Sequence, residues 1–206
     1  MRTLFMSAYF TCVTSMFSEF TGGTCAGKKV CFIPTAGVPE RLAFYVGADR
    51  KALVRLGMDV DDLEVSSASA AETADKISAA DYVFVAGGST FFLLQELRRT
   101  GADRLITEHI ASGKTYVGSS AGSIVLSRDI EYVRHMESPK KAPGLHGDFT
   151  GLGAVDFCIV PHATNVPFRR TAQKTLDTYS GTLDLRPVSN NQAITVVGDT
   201  VLTLTQ

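Results

Sequence analysis

Neither sign of charge dominates this sequence: 20 lysines and arginines stand against 21 aspartates and glutamates over 206 residues. No basic block or stripe appears, which argues against nucleic acid or an anionic membrane as the principal partner. Long hydrophobic runs are missing too, and the longest apolar stretches fall well short of the ~18 residues that a bilayer span needs. Cysteine is sparse. Cys12, Cys25, Cys31 and Cys158 form no C-x-x-C pair, so neither a zinc site nor a disulfide framework is indicated, and a reducing cytoplasm is the expected setting. The opening MRTLFMSAYFTCVTSMF has an arginine and many apolar residues, as a signal peptide would. Ser7, Thr11, Thr14 and Ser15 interrupt it, however, and no A-x-A cleavage site follows, so a buried strand and helix are expected there. Internal repeats, linkers and low-complexity segments are also lacking, which points to one domain over residues 1–206.

What the sequence does have is alternation. TLFM, KVCFIPT, DLEVSS, DYVFVAGG, KTYVGSS and VDFCIVPH read as strands. Ser7 to Phe20, ERLAFYVGADRKALVRLG, AAETADKISAA, STFFLLQELRRTG, ADRLITEHIASG and VPFRRTAQKTLDTYSG supply the helices, several closed by a glycine as a C-cap signal. Residues 127–153 hold two prolines and four glycines and read as a long surface excursion, of a length that usually serves function. AITVVGDTVLTLT alternates on both sides of Gly198-Asp199, a two-residue hairpin signal. The expected architecture is α/β: a three-layer sandwich with a mostly parallel sheet, covered on both faces, and a C-terminal antiparallel β-hairpin at one edge.

Chemistry in such sheets sits at the carboxyl ends of the strands. Gly118-Ser119-Ser120-Ala121-Gly122 lies there and matches G-x-S-x-G, the nucleophile elbow, with Ser120 central. Small flanking residues let strand and helix close around a strained apex, and the Ala121 amide faces a developing oxyanion. Ser119 is expected to face away and Ser123 to lie one turn into the helix. A Gly/Ser-rich turn or a phosphate cradle has the same pattern. Of four histidines, His109 falls on a charged helix face and is expected in solvent, while His135 and His146 lie in the excursion. His162, in CIVPHATN, follows a buried strand at the edge where Ser120 sits and is the candidate base; a histidine that merely ends a strand is the plainer alternative. Gly87-Gly88 also closes a strand and offers amides for the same oxyanion. A dinucleotide loop would need G-x-G-x-x-G, which is absent.

With FIPTAG (Phe32–Gly37), AGGSTFFLLQEL (Ala86–Leu97), GSSAGS and VPHATN (Val160–Asn165) in this order, the sequence resembles the peptidase E (aspartyl dipeptidase) family of serine peptidases, related to cyanophycinases. The resemblance runs over nearly the whole chain. It implies a fold of the class I glutamine amidotransferase (flavodoxin-like) kind, with serine in place of the elbow cysteine. By position it implies Ser120 as nucleophile, His162 as general base, and Gly88 and Ala121 as oxyanion amides. It further implies a small peptide with N-terminal aspartate as substrate, no metal or cofactor, and a homodimer. One departure stands out. Where the family has a glutamate before the last hairpin, this sequence reads PVSNNQAI, which makes Asn190 the best match, with Asp184 or Asp177 as alternatives. Arg169 and Arg170, in PFRRTAQK, are the candidate clamp for the substrate carboxylate, and Lys140 with Lys141 form a second candidate patch.

Overall fold

The computed structural model describes residues 1–206. In chain order the elements are β1 (Thr3–Ser7), α1 (Thr14–Phe20), β2 (Lys29–Ile33), α2 (Phe44–Arg55), β3 (Asp59–Asp62), α3 (Ala70–Ala79), β4 (Tyr82–Val85), α4 (Thr90–Thr100), α5 (Ala102–Ala111), β5 (Thr115–Ser119) and α6 (Ala121–Ile124). They continue as β6 (Cys158–Val160), α7 (Arg169–Tyr179), β7 (Leu185–Pro187), β8 (Gln192–Val197) and β9 (Thr200–Thr205). Seven strands form one sheet in the order β3-β2-β4-β5-β1-β8-β9. The first five in that row are parallel, and the β8–β9 hairpin turns at Gly198 and joins antiparallel to β1.

Successive strand residues point to opposite faces, so apolar runs in the central strands feed two cores. Leu4, Met6, Ile33, Val83, Val85 and Tyr116 join the larger core, under α3 to α7. Phe5, Phe32, Phe84 and Val117 point the other way and meet Phe17 of α1 and Leu53 of α2. That smaller core is largely aromatic, with Phe10 edge-on to Phe84 at 4.9 Å and to Phe17 at 5.3 Å. Such pairs add about 0.5–1.5 kcal/mol each beyond the area they bury. Helix ends follow sequence chemistry: the Ser69 and Ser89 hydroxyls accept the Glu72 and Phe92 amides, and Gly101, at φ 78°, ends α4.

Four expectations are corrected. The strand placed at DLEVSS lies earlier, at Asp59–Asp62, because this edge strand pairs only with β2 and its charges stay outside, Asp62 on Arg50 and Asp61 on Lys76. Leu63 and Val65 then leave the sheet for the larger core. The second helix begins at Phe44 rather than Glu40: the Glu40 amide still closes a turn on the Gly37 carbonyl, and its side chain pairs with Lys141 of the cleft described below. VDFCIVPH does not join the main sheet: β6 pairs with β7 in a separate two-stranded parallel ribbon. His109 is buried, not solvated. Its Nε2 donates to the Thr115 carbonyl at 3.1 Å, and burial lowers its pKa.

The excursion from Ser127 to Gly153 consists of short 3₁₀ turns at Glu131–His135, Pro139–Lys141 and Pro143–Leu145. Buried Tyr132 pins it to β6 by donating to the Ile159 carbonyl at 2.7 Å. Gly144 donates to Gln95 of α4 at 2.7 Å. The segment therefore packs on the sandwich as a wall, and Val133, Met136, Glu137, Ser138, Lys140 and Lys141 line the cleft.

Candidate active site

The parallel strands end at one rim of the sheet, and Ser120 stands there between β5 and the single turn of α6. Its backbone is at φ 49°, ψ −106°, a region that L-residues avoid and that costs about 1–3 kcal/mol. The surroundings enforce it. The Ser120 amide donates to the Ser7 carbonyl at 2.9 Å, and the Ser120 carbonyl accepts from Ser123 and Ile124. Ser123 Oγ donates to the Ser7 carbonyl and accepts the Ser7 amide, while Ser7 Oγ donates to the Gly118 carbonyl. Gly118 and Gly122 leave no room for a side chain: a Cβ on Gly122 would stand 2.0 Å from the Val85 carbonyl oxygen. Both glycines of G-x-S-x-G are thus steric necessities here.

The neighbouring serines are spoken for. Ser119 Oγ accepts the Phe10 amide at 3.3 Å, and Ser123 is bonded as above. Ser120 Oγ has one side-chain partner, His162 Nε2 at 3.0 Å. His162 follows β6 with φ 58°, and its Nδ1 donates to Asn190 Oδ1 at 2.6 Å. This fixes the tautomer, leaving Nε2 as the acceptor for the serine hydroxyl. Asn190 is held in turn by its amide, which donates to Asn165 Oδ1 at 2.9 Å. Phe168 stacks on the imidazole at 4.9 Å. Ser7 and Phe168 carried no signal in the sequence, because each works only through contacts between distant segments; Asn165 stood in the VPHATN motif, which gave it no role.

Of the alternatives to Asn190, Asp184 pairs with Arg186 and Asp177 accepts from Gln173, both away from the histidine. Gly88 lines the cleft beside Ser120, and neither its amide nor that of Ala121 donates to a backbone acceptor. Since α6 is one turn long, any oxyanion stabilisation there comes from the amides themselves more than from a helix dipole. Arg169 and Arg170 are not brought to the cleft. Phe168 takes the inward position against His162, and at ~100° per residue the next two side chains turn out to solvent. The cations that do line the cleft are Lys140 and Lys141.

The cleft encloses about 720 Å³, a size for a small ligand. Its mouth is apolar, with Leu42 75%, Phe44 74% and Val166 87% exposed. His162 is withdrawn from water, and that desolvation lowers its pKa from the ordinary 6.5, with the Asn190 bond only partly opposing it. A carboxylate in Asn190's place would add a charge that favours imidazolium; an amide adds none. A base must be neutral to accept a proton, so a depressed pKa keeps it competent at lower pH. The acid limb of kcat/KM is therefore expected below pH 6.5. A pH–rate profile checks this, and a limb at or above that value would contradict the assignment.

The model for peptidase family S51 matches residues 3–204. An uncharacterised peptidase of Pasteurella multocida is 47% identical over 200 residues, covering 97% of this chain and 96% of its own. Peptidase E of Shewanella amazonensis is 34% identical over 137 residues, 65% of this chain and 53% of its own. The crystal structure of a Listeria monocytogenes protein described as a candidate peptidase E superposes with a TM-score of 0.96 at 43% identity, over 100% of this chain and 99% of that one. A peptidase from an acI-B1 actinobacterium, at 22% identity and TM-score 0.73 over 100% of this chain and 88% of its own, shares the fold.

Proposed function

The chain belongs to peptidase family S51, and from that premise we propose that it hydrolyses small peptides, dipeptides with N-terminal aspartate first among them, through an acyl-enzyme on Ser120. The observation that carries this reading is the continuous contact Ser120 Oγ–His162 Nε2–Nδ1–Asn190 Oδ1, at 3.0 and 2.6 Å, inside a cleft of dipeptide size. Ser120 Oγ attacks the scissile carbonyl carbon while His162 Nε2 takes its proton. The carbonyl oxygen gathers negative charge against the amides of Gly88 and Ala121. Collapse breaks the C–N bond, and the imidazolium returns its proton to the leaving amine. Water then attacks the ester, delivers a proton through His162, and releases the acid and the free serine. Asn190 holds the imidazole's tautomer and direction without contributing charge. No step draws on a metal or cofactor.

Lys140 suits the substrate's side-chain carboxylate: it lines the cleft and has no carboxylate partner, whereas Lys141 is paired with Glu40 at 2.8 Å. The apolar mouth suits the leaving residue and also supports the homodimer implied by the family resemblance. The four cysteines are free thiols, in keeping with a cytoplasmic setting, and no helix is long and apolar enough to cross a membrane.

A second reading, hydrolysis of an isoaspartyl or other small amide or ester, draws on Arg169 and Arg170 standing outside the cleft. A third, a ligand-binding relative without turnover, draws on the uncharged Asn190. Initial rates on Asp-Leu, its β-linked isomer and an aspartyl ester separate the three. We expect Asp-Leu to be preferred over its β-linked isomer by at least about tenfold in kcat/KM, the size of one charge-assisted contact. Preference for the β-linked compound, or turnover of the ester alone, would favour the second reading, and no turnover of any would favour the third.

A further inference from the structure

Glu137 is the carboxylate in the cleft wall that has no salt bridge, Glu40 being paired with Lys141. Its carboxylate is withdrawn from solvent, and Oε1 accepts the Thr90 amide at 2.7 Å at the start of α4. It forms no ion pair: of the two lysines that line the cleft, Lys141 is taken by Glu40 and Lys140 is assigned to the substrate's side-chain carboxylate. Desolvation raises its pKa, with the bonds it receives from Thr90, Ser89 and Phe91 at the start of α4 opposing. Thr90 is two residues past Gly88, so the anion stands within ~8 Å of chain from one of the amides assigned to the oxyanion.

The donors at the start of α4 offset part of that charge, and Lys140 is assigned to the substrate's carboxylate, so the rest calls for a cation that arrives with the substrate. A fixed negative charge in a water-poor cleft opposes the negative charge that develops on the scissile carbonyl. In a peptide cleaved after its first residue, the α-nitrogen is only two bonds from that carbonyl carbon. We propose that Glu137 receives the α-ammonium of the substrate's first residue and so restricts the cleft to peptides with a free N-terminus. This rests on the dipeptidase reading of the same site and adds a specificity-determining residue to it. Oε1 stays with Thr90, and the remaining oxygen takes the ammonium in a charge-assisted bond.

The test compares Asp-Leu with succinyl-Leu, which keeps every atom but the α-amine, on the wild-type protein and Glu137→Gln. Glutamine retains an oxygen for the Thr90 amide and loses only the charge. Expected is a wild-type preference for Asp-Leu, which the variant reduces about 10- to 100-fold in kcat/KM while succinyl-Leu is unchanged or improved. An equal loss on both compounds would show that Glu137 only anchors α4, and would overturn the proposal. If glutamine unfolds the chain, the wild-type protein still decides, since indifference to the amine would also overturn it. If wild type cleaves neither compound, the dipeptidase reading fails by itself. Calorimetry of L-aspartate against succinate then reads Glu137 without turnover: preference for aspartate, lost in the variant, supports it, whereas equal affinities or binding of neither defeat it.

Discussion

Ser120→Ala is expected to lower peptide hydrolysis by about 10⁵- to 10⁶-fold, with the fold and substrate binding retained. The size follows from the geometry. The hydroxyl is the side-chain group that meets Nε2 of the oriented imidazole, so in the proposed mechanism its removal deletes both the attacking atom and the proton that His162 takes. Residual rate would come from the amides of Gly88 and Ala121 and from positioning alone. Ser119 cannot take over, because its oxygen is engaged by the Phe10 amide, and Ser123 is bonded to Ser7. Alanine shares the L-residue's aversion to φ 49°, so the backbone strain stays much as it is; stability is therefore expected within about 1 kcal/mol of wild type. Steady-state kinetics with a thermal melt on the same preparation checks both parts. Retention of more than a hundredth of the activity would mean that another group attacks.

Gly122→Ala is expected to be far more damaging to the fold. Its Cβ would stand 2.0 Å from the Val85 carbonyl oxygen, and both partners are backbone of the innermost layer. Either α6 lifts away from β4 or the strand end moves, and Ser120 moves with it. Overpacking of this kind costs about 3 kcal/mol or more, a large fraction of the 5–15 kcal/mol that typically holds a domain together. At roughly 2–4 °C per kcal/mol for a chain of this size, the melting temperature should fall by about 6–12 °C. Gly47→Ala is the control: it lies in α2 with nothing within 4 Å of where the added methyl would stand, and alanine should be neutral or slightly stabilising there. If the two variants melted alike, the steric account of the elbow would be wrong.

Much of this site was legible in the sequence because its chemistry is tied to local signals. A serine between glycines at a strand-to-helix junction, and a histidine just past a buried apolar run, are places that short-range pattern fixes. The parallel sheet and the Gly198-Asp199 hairpin were legible for the same reason: β-branched runs and turn residues report on themselves. Asn190 was reachable through the family resemblance, which located the loop before the hairpin.

The misses share a cause. That β6 pairs with β7, rather than joining the main sheet, depends on a partner more than twenty residues away. Arg169 and Arg170 carried the right charge, but the packing of Phe168 on His162 set which way the helix start faces. The excursion has no period from which to read a wall, so Glu137 had no visible role until Thr90 stood beside it. His109 looked solvated among charged neighbours, yet the carbonyl of Thr115 draws it inside.

The central claim is that Ser120 is made nucleophilic by His162 acting through Nε2. Fluorophosphonate treatment followed by peptide mapping tests it most directly, because the reagent marks only an activated hydroxyl. One adduct is predicted, on the peptide containing Ser120, with labelling slowed by at least about 10³-fold in His162→Ala. Absence of an adduct in a preparation that still hydrolyses peptides, or labelling of Ser120 indifferent to the loss of His162, would contradict it.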